Sequence, residues 1–127
     1  MDKQIFTVAF LLAAVAVALG AFGAHALKEM VDEKAIQTFQ TGVQYHFYHV
    51  FALVITGLLL NRNTVTWYKR AAILFTAGII LFCGSLYALT FFKAAGFVNM
   101  SWLGAITPLG GFLFIAGWFC LFIGVRK

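Results

Sequence analysis

The chain has 127 residues, 63% of them hydrophobic and 10% charged, with one proline and twelve glycines. Soluble domains carry about 25% charge, so this composition excludes a soluble globular protein and leaves an integral membrane protein. The net charge of +5 sits singly at the ends of apolar runs, without the clustered basic face that nucleic-acid binding needs, and that class is excluded too.

Four apolar runs account for nearly all of the chain. Each is long enough, at about 1.5 Å per residue, to cross a hydrocarbon core of roughly 30 Å. The expected fold is all-α: one four-transmembrane-helix domain over residues 1–127, with spans at about 5–24, 42–60, 71–91 and 107–125. A short amphipathic outer segment precedes the second helix.

The first run carries Ala24-His25-Ala26, which has the small-x-small form of a signal cleavage site. Its apolar length suits a span better than a signal core, and it is read as a span. Small residues at Ala9, Ala13, Ala16, Gly20 and Gly23 or Ala24 fall along one stripe, which lets another backbone approach closely.

Next comes the charged run Lys28 to Lys34. Asp32 is a good N-cap, with Glu33 in the first turn beside the positive end of the helix dipole. No proline follows until well past Leu60, so one helix from near Glu33 to about Leu60 is expected, longer than the bilayer core is thick. Trp67 and Tyr68 beside Lys69 and Arg70 mark a membrane interface.

In span three, Ala77, Gly84 and Ala88 share a stripe with Gly78 and Ser85 beside it, which predicts a close-packing face. The following connection, with Lys93, Gly96, Asn99, Ser101 and Trp102, is weakly polar. Thr107-Pro108 has the pattern of an N-cap followed by proline at the first helical position; an earlier start with an internal proline is the alternative. Gly110, Gly117 and Gly124 stand seven apart, the spacing of a seam for a close, left-handed crossing. Cys83 and Cys120 lie inside apolar runs without C-x-x-C spacing and are read as buried thiols.

The cations set the expected topology. Lys3, Arg62, Lys69, Arg70, Arg126 and Lys127 fall on one side of four spans, and Lys28, Lys34 and Lys93 on the other. The positive-inside rule then puts both termini in the cytoplasm.

The chemistry-bearing stretch is Gly42 to Val50. At 100° per residue Gly42, Tyr45, His46, His49, Ala52 and Thr56 share one face, which should look into the bundle because unpaired polar groups in hydrocarbon cost several kcal/mol. His46 and His49 are neighbours on the helix surface. His25, at a comparable depth, would bring a third imidazole, with Gln44, Tyr45, Tyr48 and Thr107 as further hydrogen-bonding groups.

Three readings of this stripe compete. The histidines tie helices together by hydrogen bonds; or His25, His46 and His49 hold a metal or haem iron; or the cluster moves protons or binds a small polar or quinone-like ligand. A hydrolase or ATPase is disfavoured, since the chain has no P-loop, G-x-S-x-G or His-Glu-x-x-His.

The residues also resemble a known family. Gly20 to Leu27, Thr41 to His46 with His49, Gly84-Ser85-Leu86-Tyr87, Thr107 to Gly111 and Ala116-Gly117-Trp118 together resemble the DUF423 family of small bacterial membrane proteins, related to the eukaryotic transmembrane protein 256 group. The likeness covers almost the whole chain, with the blocks in order. It implies a four-helix protein of the bacterial cytoplasmic membrane and supplies no catalytic residues. The resulting expectation is a non-enzymatic protein that supports membrane or envelope integrity through lipid or protein contacts. Its packing glycines, Gly20, Gly23, Gly84, Gly110, Gly117 and Gly124, also suggest a homo-oligomer.

Overall fold

Apolar runs without internal charges form helices in lipid because only a helix satisfies its own backbone hydrogen bonds there. The computed structural model describes residues 3–97 and 100–127 and follows this rule throughout. Helix α1 covers Lys3–His25, a 3₁₀ turn covers Leu27–Glu29, and α2 runs over Glu33–Arg62. Helix α3, Thr66–Gly78, passes through a π segment, Ile79–Cys83, directly into α4, Gly84–Ala94; α5 is Leu103–Arg126. Among the described residues there are thus four helices long and apolar enough to cross a membrane, with Thr66–Ala94 counted as one.

Asp32 caps α2 as expected. Its Oδ1 accepts the Ala35 N–H at 2.9 Å, and its Oδ2 lies 3.4 Å from Lys93 Nζ at the end of α4. The Ala35 N–H first, and Lys93 with it, hold this carboxyl below its ordinary value. The helix it starts spans 30 residues, about 45 Å at 1.5 Å per residue.

The start of α5 differs from the Thr107-Pro108 expectation. The helix begins at Leu103 after Trp102, and Pro108 lies inside it. Ser101 and Trp102 carbonyls accept the N–H groups of Gly104 and Ala105, winding the first turn before the proline is reached. Proline has no N–H to offer the carbonyl four residues back, that of Gly104, so the sequence marks a helix start that the backbone has already passed. Asn99 lies outside the described residues.

Helix α3 with its π segment and α4 packs on α5 in a single antiparallel register. A methyl group on Gly117 would lie 2.7 Å from the Phe75 ring, and one on Gly124 2.5 Å from the Tyr68 ring. At Gly110 it would run into the backbone of Phe82, in the π segment. Tyr68, Phe75 and Phe82 are themselves seven apart. The glycine seam of span four therefore holds the rings of Tyr68 and Phe75 and the backbone of Phe82 on span three, one contact per two helical turns. Because the seam is filled within the chain, it gives no support to self-association.

The Gly84 expectation is corrected by the same packing. Nothing lies within 4 Å of where its Cβ would be. Span three meets α5 through Tyr68, Phe75, Gly78, the Phe82 backbone and Ser85, and this buried face leaves Gly84 beside it.

Helix α1 rests mainly on α2, also antiparallel. Ala9, Ala16 and Gly23 are buried, and Gly23 takes the Phe39 ring while Gly57 of α2 takes Phe6. Gly20 makes ordinary contact with Val43, 3.5 Å from its Cβ position. The core lies between α2, α3 and α5, around Leu53, Phe75, Ile79, Cys83 and Phe114; both cysteines are free and buried.

Candidate functional site

The face of α2 predicted to look inward does so. Gly42, His46, His49, Ala52 and Thr56 are all buried, whereas Tyr45 stays 38% exposed at its margin. Thr56 donates to the Ala52 carbonyl at 2.7 Å, which satisfies its hydroxyl within the helix.

His49 is fixed on three sides. Its Nδ1 is 2.8 Å from the Tyr45 carbonyl, an acceptor only, so Nδ1 carries the proton. Its Nε2 then has the lone pair, and it accepts the indole N–H of Trp118 on α5 at 3.1 Å. The imidazole lies flat on the Phe114 ring, with centroids 3.6 Å apart and planes 8° from parallel. The neutral tautomer is thereby specified, and no ring nitrogen is left for a metal.

His46 is used differently. Its Nδ1 is 2.8 Å from the Tyr87 hydroxyl on α4, while Nε2 is buried without a hydrogen-bond partner. Tyr87 in turn lies over Gly42, whose Cβ would come 2.9 Å from the ring, so a side chain there would displace the phenol from His46. The glycine and the histidine, four residues apart, form one seat for one tyrosine.

A third polar bond joins α4 to α5. Ser85 Oγ donates to the Phe82 carbonyl at 2.8 Å, which spends its one proton, so the Thr107 hydroxyl must donate to Ser85 Oγ across 2.5 Å. Thr107 is thus a cross-helix donor, consistent with its place inside α5 rather than before it.

The remaining expected members stand apart. His25 is exposed at the end of α1. Gln44 Nε2 donates to the Tyr48 hydroxyl at 2.7 Å on the outer surface of α2, where both residues are exposed. The Tyr45 ring packs on Phe82 at 4.8 Å. Among the described residues no group of three or more His, Cys, Asp or Glu side chains could hold a metal ion. His25, His46 and His49 therefore do not make the three-imidazole centre. Two histidines share a helix face, but one turns to α5 and the other to α4.

Three partners were not legible as such. Trp118 and Tyr87 belong to segments that carry the family resemblance, and a Tyr or Trp within a span seeks a polar partner for its tip, which was the available signal. Phe114 had none, since one phenylalanine in an apolar helix looks like another.

Comparison with known proteins agrees with this architecture. The family described as "Protein of unknown function (DUF423)" matches residues 19–111. The UPF0382 membrane protein YwdK of Bacillus subtilis is 42% identical over 91% of this chain and 89% of its own. A UPF0382 membrane protein of Haemophilus influenzae is 36% identical over 100% of this chain and 97% of its own. The UPF0382 inner membrane protein YgdD of Escherichia coli is 34% identical over 87% and 80% respectively. No solved structure matches the chain.

Proposed function

The chain belongs to the DUF423 family of membrane proteins, and from that premise we propose that it acts without catalysis, supporting the integrity of the membrane through lipid and protein contacts on its outer surface. The observation that carries this reading is the complete engagement of His49. Its two nitrogens serve the Tyr45 carbonyl and the Trp118 indole, so the most chemically suggestive residue of the chain is spent on holding α2 to α5. What remains for function is the lateral apolar surface, such as Phe112, Ile115, Phe119 and Phe122 along α5, all more than half exposed.

The location that goes with this function is a bacterial cytoplasmic membrane with both termini inside. Six cations lie at the end of the bundle formed by the starts of α1 and α3 and the ends of α2 and α5, against three lysines, Glu29, Asp32 and Glu33 at the other. The name of the Escherichia coli relative, an inner membrane protein, supports the same placement. Reporter fusions at the C-terminus, active only inside or only outside the cell, test the orientation.

Deletion of the gene in a host that carries it tests the function, with leakage of a small dye as the readout. Deletion should raise leakage, and both the wild-type chain and a folded His49→Gln variant should restore the barrier. Unchanged leakage would overturn the proposal. So would a stoichiometric metal or a visible chromophore in the purified protein, which would return the histidines to a ligand-binding role.

A further inference from the structure

We propose that the groove between α1 and α3 at the cationic end binds one anionic phospholipid, with an acyl chain along the groove and the phosphate at Lys69. This deepens the lipid-contact reading above and rests on the chain lying in a bilayer, but not on any effect on leakage.

The groove arises because α1 leans on α2 and leaves α3 uncovered at this end. It encloses about 610 Å³ and is walled by Ile5 and Val8 of α1, Leu53 of α2, and Ala77 and Ile80 beyond Lys69 on the third span. That volume is within the roughly 300–1,000 Å³ of small-ligand sites. From Lys69 to Ile80 the third span rises about 16 Å at 1.5 Å per residue. One leaflet is half of a hydrocarbon core of roughly 30 Å. The groove therefore has the depth of a single acyl chain, whereas a helix of a second copy would need a path through both leaflets.

Below its rim the lining is hydrocarbon in character. Thr76 is the polar residue within it, and its hydroxyl already donates to the Ala72 carbonyl at 2.9 Å. Among the described residues the charge at the rim is of one sign. Lys69 lines the groove, Lys3 precedes the lining residue Gln4, and Arg70 lies with its guanidinium 4.7 Å above the Trp67 ring, at the level where amphipathic side chains gather. The N-termini of α1 and α3 flank the same rim, and their dipoles favour an anion. Among the described residues no carboxylate lies on the residues that form this end of the bundle. An apolar slot one leaflet deep, closed at the top by cations, is complementary to a lipid whose head is a phosphate without a balancing ammonium.

Native mass spectrometry of the full chain, stripped of lipid in a neutral detergent and offered equal phosphatidylglycerol and phosphatidylcholine with matched chains, tests the proposal. Phosphatidylglycerol should be retained about fivefold over phosphatidylcholine, the scale of one cation near an anionic head. Lys69→Gln should abolish the preference, Lys127→Gln at the same end should leave it, and Ala77→Phe should reduce retention of both lipids. Lys69 is exposed, so its variant keeps the test valid even if Ala77→Phe fails to fold. Equal retention of the two lipids by the wild-type chain overturns the site, as does an equal loss with Lys127→Gln, which would mean a diffuse basic end. Retention unchanged in a folded Ala77→Phe variant overturns the groove. If the preference is absent while gene deletion still causes leakage, this site fails and the function above stands. If the preference is present and deletion causes no leakage, the outcome is reversed.

Discussion

Trp118 Nε1 donates to His49 Nε2 at 3.1 Å, linking α5 to α2 across 69 residues of sequence. The bond works because the opposite nitrogen, Nδ1, is held as a donor by the Tyr45 carbonyl at 2.8 Å. A proton added at Nε2 would set two donors against each other. Stacking on Phe114 fills the face of the ring. The pair thus converts a titratable side chain into a neutral strut, at a depth where an unpaired polar group would be expensive.

Trp118→Phe should destabilise the protein by about 0.6–1.7 kcal/mol, from the mean to the maximum of hydrogen bonds in membrane bundles. In a His49→Phe background the same substitution should cost measurably less, because the partner is gone. Thermal unfolding of the four proteins in detergent checks the coupling. Strictly additive effects would refute the bond.

His49→Ala should lower stability more than His46→Ala. Both rings are buried, so both truncations leave cavities, but His49 loses two hydrogen bonds and a stack where His46 loses one bond to Tyr87. The difference should be about 1 kcal/mol, the net contribution of one hydrogen bond. Denaturant unfolding of the two variants under one condition decides the order.

Gly110→Ala and Gly84→Ala should act in opposite directions. The first drives a methyl into the Phe82 backbone, and such overpacking costs about 1–3 kcal/mol. The second places a methyl in open space and removes a helical glycine, which stabilises by about 0.5–1 kcal/mol. Paired melting temperatures of the two variants provide the check.

Asp32 should make the start of α2 sensitive to acid. Its carboxyl is held below the ordinary value of 3.8, first by the Ala35 N–H and also by Lys93. A group whose folded value is depressed contributes stability that is complete above its unfolded value and disappears as pH falls through the folded one. Wild-type stability should therefore drop more steeply than that of Asp32→Asn below about pH 4, while both stay level near neutrality. Unfolding followed by circular dichroism over that range measures the difference.

Much of the fold is legible in the residues taken in order. Four spans follow from apolar length, the start of α2 from Asp32, and the inward face of α2 from the spacing of Gly42, His46, His49 and Thr56. Thr107-Pro108 misled, because a local pattern for a helix start is also tolerated inside one when the preceding turn is wound by Ser101 and Trp102. His25 misled for a different reason: the register that sets Gly23 against Phe39 and Gly20 against Val43 leaves it beside the first turns of α2, about two turns from His46 along the helix.

The membrane setting and the periodic faces follow from the order of residues alone, since these depend on composition and on angles between near neighbours. That order even contains both halves of the main seam, glycines at 110, 117 and 124 and rings at 68, 75 and 82. It takes the packed bundle to show that these halves meet, that His49 finds Trp118 and His46 finds Tyr87, and that α1 leaves a groove beside α3. Those are choices between distant segments of similar hydrocarbon character, and they are made by shape once the helices pack.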